Sequence, residues 1–345
     1  MGLSIKELVP RKEITIKDLS NKVVAIDTMN MLYQFLTTIR GMDGSLLTDK
    51  KGRVTSHLIG LFARTTVMME NGIKPIFVFD GTPPALKQKT WEKRKQAKLE
   101  ANAQLQVAEE AGDYEQMKKL SARTAVLTKE MVADAQKVIT ALGLPIINAP
   151  SEGEAQAAYM VRTKHAYACI SQDYDTLIFG APRLVRNLSV EGKRRKKGTL
   201  AIETISPEEV ILEDVLTSLK LTQDQLIVLA VLIGTDYNPG GIKGIGPKKA
   251  LKLLQEHGNQ FDKIFELVKW KEAYSELAWK DVFDTIKHIP ITDHFTLEWK
   301  RIDSEQLRTL LVDEFNFSAE RVEMKLSKLG KEQTKMSQKG LSQFF

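Results

Sequence analysis

The hydrophobic positions of this chain form short apolar runs that alternate with longer stretches of helical periodicity. Four runs, at residues 23–26, 76–79, 146–147 and 168–170, are typical of buried β-strands. Helical patterns follow the first run and also occupy residues 54–71 and 155–161. Strands that alternate with helices predict an α/β fold, in which helices flank both faces of a mostly parallel central sheet.

Acidic residues stand directly after three of these runs. Asp27 follows the first run, Asp80 follows the second, and Asp173 and Asp175 follow the fourth. Ligands of open α/β sheets bind beyond the carboxyl ends of the strands, so we expect these acids along one edge of the sheet. Turn formation after a strand explains any one of them, but it does not explain the whole set.

A second acidic pair, Glu152 and Glu154, opens the helical pattern after residue 151. Ser151 and Glu154 have the spacing of a capping box, in which side chains satisfy backbone N–H groups at a helix start. Capping leaves Glu152 unexplained, and one residue can serve both as a cap and as a ligand. Several acids on one edge would repel one another unless cations lay among them.

The chemistry of this acidic set predicts the cation. Carboxylate oxygens without a His or Cys cluster favour Mg²⁺ or Mn²⁺ over zinc, and the single cysteine, Cys169, lies within an apolar run. One Mg²⁺ ordinarily needs only one or two carboxylates, so the number of acids predicts two ions, which can clamp a phosphodiester. Together with Asp236, which follows a predicted helix at 222–233, the candidate ligands are Asp27, Asp80, Glu152, Glu154, Asp173, Asp175 and Asp236.

Residues 83–137 break the alternation and predict a helical hairpin inserted between two strands, with an interruption at Gly112-Asp113. Its first part is basic and includes Lys87 and Arg94. Such a run is usually a solvated helix face, but its position after Asp80 would also let it offset charge on a phosphate. Tyr33 lies about two helical turns beyond Asp27, where it either packs in the core or stacks on an unpaired base.

Two further segments carry features of DNA binding. Residues 240–250 hold Gly244, Gly246, Lys248 and Lys249 between two predicted helices, which favours a helix–hairpin–helix over an ordinary tight turn. Its glycines and helix N-terminus would contact the phosphate backbone rather than the bases. Residues 192–198 form the basic tip of a predicted hairpin between strands at 184–190 and 199–202. That tip includes Lys193, Arg194 and Arg195, and both phosphate contact and nuclear localisation are open interpretations.

Composition narrows the class of protein. A formal charge of +6 and a pI near 9.1 favour a polyanionic partner, and 43% hydrophobic with 27% charged residues is typical of a soluble globular chain. No apolar run is long enough for a membrane span, and the start lacks the apolar core of a signal peptide. Residues 330–345 predict a flexible polar tail, yet it ends in Phe344-Phe345, which indicates anchors for a partner's pocket.

In combination, these motifs resemble the flap endonuclease family of structure-specific 5′ nucleases, in its archaeal form. The resemblance rests on the segments at 24–27, 77–84, 150–155, 172–175, 234–237 and 244–248, which occur in the family's order across nearly the whole chain. It implies a PIN-like 5′ nuclease fold in which the seven acids bind two Mg²⁺ ions, with Mn²⁺ as a substitute. It also implies that Lys87 and Arg94 are catalytic cations of a helical arch, that Tyr33 stacks beside the scissile phosphate, and that Gly2 lies near the site.

The same resemblance implies partners and surroundings. The helix–hairpin–helix would hold duplex DNA, with a K⁺ ion, and the substrate would be branched DNA with a 5′ flap. The last residues are similar to the peptide that binds the DNA sliding clamp, PCNA, through Gln338, Leu341, Phe344 and Phe345. No basic extension follows this peptide, which argues against a nuclear protein, so we expect a cytoplasmic location. We also expect a monomer that has no membrane partner.

We therefore expect a nuclease domain at 1–329 and a tail at 330–345 that carries the clamp peptide at 338–345. Within the domain we expect an N-terminal nuclease region at about 1–82, an arch at 83–137, an internal nuclease region at 138–220, the helix–hairpin–helix at 221–258 and a helical part at 259–329. The expected activity is cleavage of 5′ flaps at the single-strand/duplex junction, with 5′–3′ exonuclease activity, in Okazaki-fragment maturation and repair. A bubble-cutting repair endonuclease, a plain 5′–3′ exonuclease and a clamp-tethered DNA-binding adaptor remain alternatives.

Overall fold

A central mixed sheet with helices on both faces forms the body of the protein. The computed structural model describes residues 3–41, 44–190, 192–195 and 202–341. The strands are β1 (Lys12–Glu13), β2 (Val23–Asp27), β3 (Lys74–Phe79), β4 (Ile146–Asn148), β5 (Ala168–Ile170), β6 (Arg183–Arg186), β7 (Gly192–Arg195), β8 (Ile202–Ile205) and β9 (Glu208–Ile211). Seven of them form one sheet in the order β1-β9-β6-β5-β2-β3-β4, and β7 pairs with β8 separately.

The strands at the centre of the sheet are parallel, as the sequence predicts. β2 pairs in parallel with β3 and β5, β3 pairs with β4, and β5 pairs with β6, whereas β9 joins its neighbours β6 and β1 antiparallel. Parallel strands require crossover connections, and the intervening helices supply them. The carboxyl ends of β5, β2, β3 and β4 consequently lie along one edge of the sheet.

Helices cover both faces of this sheet. They are α1 (Thr28–Thr38), α2 (Ser56–Glu70), α3 (Gln88–Glu110), α4 (Tyr114–Thr124), α5 (Lys129–Ala141), α6 (Gly153–Arg162), α7 (Asp175–Ile178), α8 (Leu212–Leu219), α9 (Gln223–Ile233), α10 (Pro247–His257), α11 (Phe261–Leu267), α12 (Trp270–Ala273), α13 (Trp279–Lys287), α14 (Ser304–Arg308) and α15 (Ala319–Leu341). Short 3₁₀ segments occur at Ile16–Leu19, Ala85–Lys87 and Leu188–Val190, and a π-helical segment at Thr309–Glu314.

The alternation of side chains along β3 creates two cores. Phe77 and Phe79 face a core that also contains residues of α1, α2, α5, α14 and α15. Ile76 and Val78 face the opposite core, built from residues of α6, α7, α9, α10 and α13. All four side chains are buried, because successive residues of a strand point to opposite faces and both faces are covered.

The inserted hairpin is shorter than the sequence analysis predicts. α3 and α4 pack against each other with Gly112 in the turn between them, where its φ is +67°. α5 falls inside the predicted arch, but Ala135, Val138 and Ile139 are buried in the main core, and the helix packs against α2. The arch therefore ends at about Thr124, and α5 belongs to the nuclease body.

Two other boundaries differ from expectation. The predicted strand at 184–190 ends at Arg186, because Asn187 has a φ of +64° and a 3₁₀ segment follows it. The hairpin strands are β7 and β8 instead, so Lys193, Arg194 and Arg195 lie in a strand and not in the tip. At the other end of the chain, α15 continues through Leu341, into the segment for which we expected a flexible tail. Its start is held by buried Val322, Leu326 and Leu329.

Among the described residues, no single helix has the length and apolar character needed to cross a membrane. α8 and α9 pass that test only as a pair, and the pair is bent by 78°.

Candidate active site

The structure brings the strand-end acids together at the carboxyl edge of the sheet. Asp27 is the last residue of β2 and also caps α1, since its Oδ1 accepts a hydrogen bond from the amide of Asn30 at 3.0 Å. Asp80 follows β3, and its Oδ1 accepts from the amide of Gly153 at 2.7 Å. A Cβ on residue 153 would lie 2.7 Å from that same oxygen. Gly153 therefore lets the start of α6 approach the Asp80 carboxylate, which a larger residue would displace.

Glu152 and Glu154 stand at the start of α6, but not as a capping box. The N-cap residue is Glu152, and its side chain makes no capping hydrogen bond. The capping-box prediction for Ser151 is wrong because the helix begins one residue later. Glu154 Oε1 instead lies 3.4 Å from the hydroxyl of Ser171, on β5's side of the cluster. Both glutamates are thus directed at the acidic edge.

The turn after β5 supplies the next two acids. Asp173 Oδ2 accepts a hydrogen bond from Asn30 Nδ2 at 2.8 Å, and Asp175 Oδ1 accepts from the amide of Leu3 at 2.7 Å. The Ser171 hydroxyl lies 3.2 Å from Asp27 Oδ2 as well as near Glu154. The turn is therefore tied to β2, to α6 and to the N-terminal segment.

The last acid, Asp236, follows α9 and faces the base of the arch. Lys87 Nζ lies 2.5 Å from Glu152 Oε2 and 3.4 Å from Asp236 Oδ2. Thr90, one turn further, donates a hydrogen bond to the Asp236 carbonyl oxygen. A small pocket, partly open to solvent, has Lys87, Glu152, Glu154, Asp175, Asp236 and Tyr237 among its lining residues.

The electrostatics of the cluster are those of acids forced close together. Burial, followed by the charge of Asp80, raises the pKa of Asp27 to about 7. Burial, followed by the charge of Asp173, raises the pKa of Asp175 to about 7. The pKa of Glu154 is raised well above its ordinary value by burial and by the charges of Asp175 and Asp27. A nearby cation would therefore stabilise the ionised form of each of these three carboxylates.

Lys87 is one such cation. Burial alone would lower the pKa of Lys87, but the charges of Glu152 and Asp236 outweigh burial, and the pKa is raised. The pKa of Glu152 is nevertheless also raised, by burial and by the acids around it. The two directions agree physically, because Lys87 interacts with several acids, whereas Glu152 has Lys87 on one side and the like charges of Asp80 and Asp236 on the other. One lysine therefore offsets only part of the repulsion.

The donor set fits a hard divalent cation. All seven predicted ligands offer carboxylate oxygens, and each interacts electrostatically with at least one other member of the set. No group of three or more His, Cys, Asp or Glu side chains in the described ranges already has the geometry of a preformed metal site. The ligand assignment stays a prediction, and binding would require these side chains to reorient toward a common centre.

Several contributors to this site were not predicted from the sequence. Asn30 bonds to Asp27 and Asp173, and Ser171 reaches Asp27 and Glu154. Asn30 stands three residues after Asp27, the position whose amide an N-cap acid holds, so capping geometry was an available signal for its backbone contact. No local pattern indicated that its side chain contacts a residue in a distant turn.

Tyr33 lies on the surface of α1 and not in the core. Its side chain is 39% exposed, and Lys98 of the arch places its Nζ 5.4 Å from the ring centroid. The core interpretation is therefore wrong, and stacking on a base stays a prediction.

The predicted helix–hairpin–helix is present as α9, a glycine-rich turn and α10. Gly241 has a φ of +55°, and a Cβ there would lie 2.1 Å from the carbonyl oxygen of Ile233, so the turn requires glycine. Gly246 is the N-cap of α10 and Pro247 its first residue, with Lys248 and Lys249 exposed beside them. A helix N-terminus flanked by two lysines favours anion binding, although phosphate contact stays a prediction.

Other predicted residues fall outside the description. Gly2, Phe344 and Phe345 lie beyond the described ranges. Arg94 lies in α3, Lys193, Arg194 and Arg195 in β7, and Gln338 and Leu341 in α15, but their side chains are not described.

This chain is similar to known proteins over nearly its whole length. The XPG N-terminal domain family matches residues 3–101, and the XPG I-region matches residues 143–236. A protein of Pyrococcus abyssi named flap endonuclease 1 is 48% identical over 331 residues, which cover 96% of this chain and 94% of the relative. The chain belongs to the flap endonuclease family. The flap endonuclease 1 of Staphylothermus marinus is 45% identical over 352 residues and covers both chains completely.

Two solved structures share the fold of this chain. The flap endonuclease-1 of Methanococcus jannaschii superposes with a TM-score of 0.73 at 40% identity, covering 95% of this chain and 98% of that one. The catalytic core of Rad2 in complex with DNA superposes with a TM-score of 0.69 at 24% identity, which shows similarity of fold. The two matched XPG regions contain all seven acids of this family member, and they leave out residues 102–142, which hold most of the arch and α5.

Proposed function

We propose that this protein is a structure-specific endonuclease that cuts 5′ flaps at the junction between single strand and duplex. The observation that carries the proposal is the convergence of seven acids on one sheet edge, beside Lys87, in a chain whose relatives are flap endonucleases. A 5′–3′ exonuclease activity would use the same site. Okazaki-fragment maturation and repair are the processes that such an activity serves.

The acids would hold two Mg²⁺ ions, or Mn²⁺ in their place. Asp27, Glu154 and Asp175 are the members whose ionised forms most need a cation, as their raised pKa values indicate. When bound, the ions supply Lewis-acid stabilisation to the phosphate under attack. Hydrogen bonds from Asn30, Gly153 and Leu3 hold three of the carboxylates before any substrate arrives.

The remaining groups would position the DNA. Lys87 lies at the pocket beside Glu152 and Asp236. Its positive charge would stabilise the negative charge of a phosphate that enters the pocket. Tyr33, beneath the arch, offers an exposed ring for a base. The turn between α9 and α10 would hold the duplex by its backbone, with K⁺ at the turn, and residues 338–345 would tether the enzyme to the sliding clamp.

A substrate comparison tests this function directly. Labelled 5′-flap, bubble and blunt-duplex substrates are incubated with the protein, with and without Mg²⁺. We expect Mg²⁺-dependent cleavage of the flap at its junction. Preferred cutting of the bubble, or stepwise degradation of the blunt duplex, would favour the related nuclease activities, and DNA binding without cleavage would favour a clamp-tethered adaptor.

Asp175→Asn tests the acidic site within the same assay. The substitution removes the charge yet keeps an acceptor for the Leu3 amide, so the fold should persist. We expect cleavage to fall by at least about a hundredfold, with flap binding retained in a gel-shift assay. Asp293→Ala, at an exposed position outside the set of seven acids, is the control. Cleavage by Asp175→Asn at the control's rate would contradict the site assignment.

A further inference from the structure

Two arginine–tyrosine pairs stand on β6 and have nearly the same construction. In the Arg186 pair, the guanidinium lies 4.2 Å from the ring centroid of Tyr174, its Nη1 donates to Tyr174 Oη at 2.6 Å, and Glu208 lies 3.3 Å away. In the Arg183 pair, the guanidinium lies 4.1 Å from the ring centroid of Tyr167, donates to its hydroxyl, and lies 2.5 Å from an acid of β9, Glu209. The two pairs differ in the position of their tyrosines relative to β5.

Tyr167 directly precedes β5, whereas Tyr174 lies beyond its carboxyl end, between Asp173 and Asp175. Arg186 adds a contact to this turn, because its Nε donates to the carbonyl oxygen of Gln172 at 2.9 Å. Tyr174 is only 4% exposed. Arg186 therefore contacts both the backbone of the turn that contains the two acids and the tyrosine side chain between them.

The Arg186 pair holds a turn whose acids repel one another. Asp173 and Asp175 carry like charges close to each other and to Asp236. The guanidinium charge of Arg186 favours the ionised form of Asp173. A planar guanidinium that stacks on a ring and donates to three acceptors fixes direction as well as charge, which a lysine would not do.

We propose that Arg186 and Tyr174 are positioning residues for the nuclease reaction, which hold the Gln172–Asp175 turn so that its two acids face the metal-binding edge. This inference rests on the proposed function. Groups behind the ligands of a metal site commonly change metal affinity or activity by about 10–100-fold when they are removed. The pair acts through Asp173 and Asp175 and contacts no substrate itself.

The Arg183 pair provides a matched control. Arg186→Met and Tyr174→Phe are compared with Arg183→Met and Tyr167→Phe, which remove equivalent contacts at the other end of β5. Three quantities are measured for each variant: the melting temperature, the Mn²⁺ dissociation constant of the protein alone by electron paramagnetic resonance, and kcat and KM on a 5′ flap. Arg186→Lys is added to separate charge from geometry.

We expect Arg186→Met to weaken Mn²⁺ binding about tenfold or more and to lower kcat, with KM for the flap within about twofold of wild type. Tyr174→Phe should change the same quantities in the same direction, and Arg186→Lys should restore less than half of the lost affinity on a logarithmic scale. The Arg183 and Tyr167 variants should lose thermal stability without loss of Mn²⁺ affinity. If Arg186→Met does not fold, the comparison of Tyr174→Phe with Tyr167→Phe carries the same test.

Equal Mn²⁺ affinities and equal kcat values in the two sets of variants would overturn the inference. Wild-type protein that binds Mn²⁺ but does not cut the flap would instead overturn the proposed function, and the Mn²⁺ comparison would still decide whether the Arg186 pair positions the acids.

Discussion

The buried imidazole of His57 predicts how much the free energy of unfolding changes with pH. His57 lies in the first turn of α2 and is 1% exposed, and neither ring nitrogen makes a hydrogen bond of standard geometry among the described residues. Burial lowers the pKa of its imidazole to about 4, although the charge of Asp134 and a weak interaction with the backbone of Met131 favour the protonated form. The same side chain in an unfolded chain has a pKa of about 6.5.

The pKa of His57 is lower in the folded protein than in the unfolded chain, so acid destabilises the folded state. As the pH falls through about 6.5, the unfolded state takes up the proton and the folded state does not, so the free energy of unfolding decreases. The loss is complete only below pH 4, where the folded protein is protonated as well. At about 1.4 kcal/mol per pKa unit, His57 lowers the free energy of unfolding by about 2 kcal/mol at pH 5 and about 3 kcal/mol below pH 4.

His57→Leu tests this magnitude, because leucine takes up no proton. The free energy of unfolding is measured by guanidinium denaturation for wild type and variant at pH 7.5 and pH 5.0. Other groups titrate in both proteins, so the change in the difference between them isolates His57. We expect that difference to move by about 2 kcal/mol in favour of the variant on going to pH 5.0.

Thr65→Val, also in α2, is the control, because Thr65 is buried and its hydroxyl takes up no proton. Its difference from wild type should stay the same at both pH values. A difference for His57→Leu that is equally constant would refute the reasoning, and would mean that the buried imidazole is not held in its neutral form.

Three further predictions concern the site and its partners. Asn30→Leu removes the amide that donates to Asp173, so Mn²⁺ binding measured by calorimetry should weaken about tenfold; unchanged affinity would show that this hydrogen bond does not organise the acids. Replacing Lys248 and Lys249 with glutamine should weaken binding to all duplexes alike and reduce the slope of log affinity against log salt by up to about two, whereas a sequence-selective loss would argue against backbone contact. Deleting residues 338–345 should leave basal flap cleavage intact and abolish its stimulation by the sliding clamp, and undiminished stimulation would place the tether elsewhere.

The parallel sheet and its acidic edge could be predicted because their signals are local. Each strand is a continuous apolar run, and each acid follows its run directly, as Asp27 and Asp80 do. The end of β6 could not be predicted in this way, because Asn187 breaks an apolar pattern by adopting a left-handed conformation. α5 was misassigned because its composition resembles that of the arch, and only packing against α2 distinguishes it.

The side-chain contacts that hold the acids could not be predicted from the sequence, for a different reason. Asn30 and Asp173 are 143 residues apart in the chain, and the pairing of Arg186 with Tyr174 depends on how β6 docks beside β5. Hydrogen bonds of this kind depend on the relative placement of elements that each look ordinary alone. A pattern can indicate which residues are ligands, but not which side chains orient them.

The distribution of the acids along the chain also has a consequence for folding. The cluster draws on positions from Asp27 to Asp236, separated by the arch and by several crossovers. While the chain is being made, no fragment that ends before Asp236 carries the complete set, and the repulsion among its members arises only as β2, β3 and β5 come side by side. Loop closure over such separations is slow compared with local helix formation. A chain whose synthesis has not yet reached Asp236 therefore lacks one of the seven predicted ligands, and the acidic edge can be completed only in longer chains.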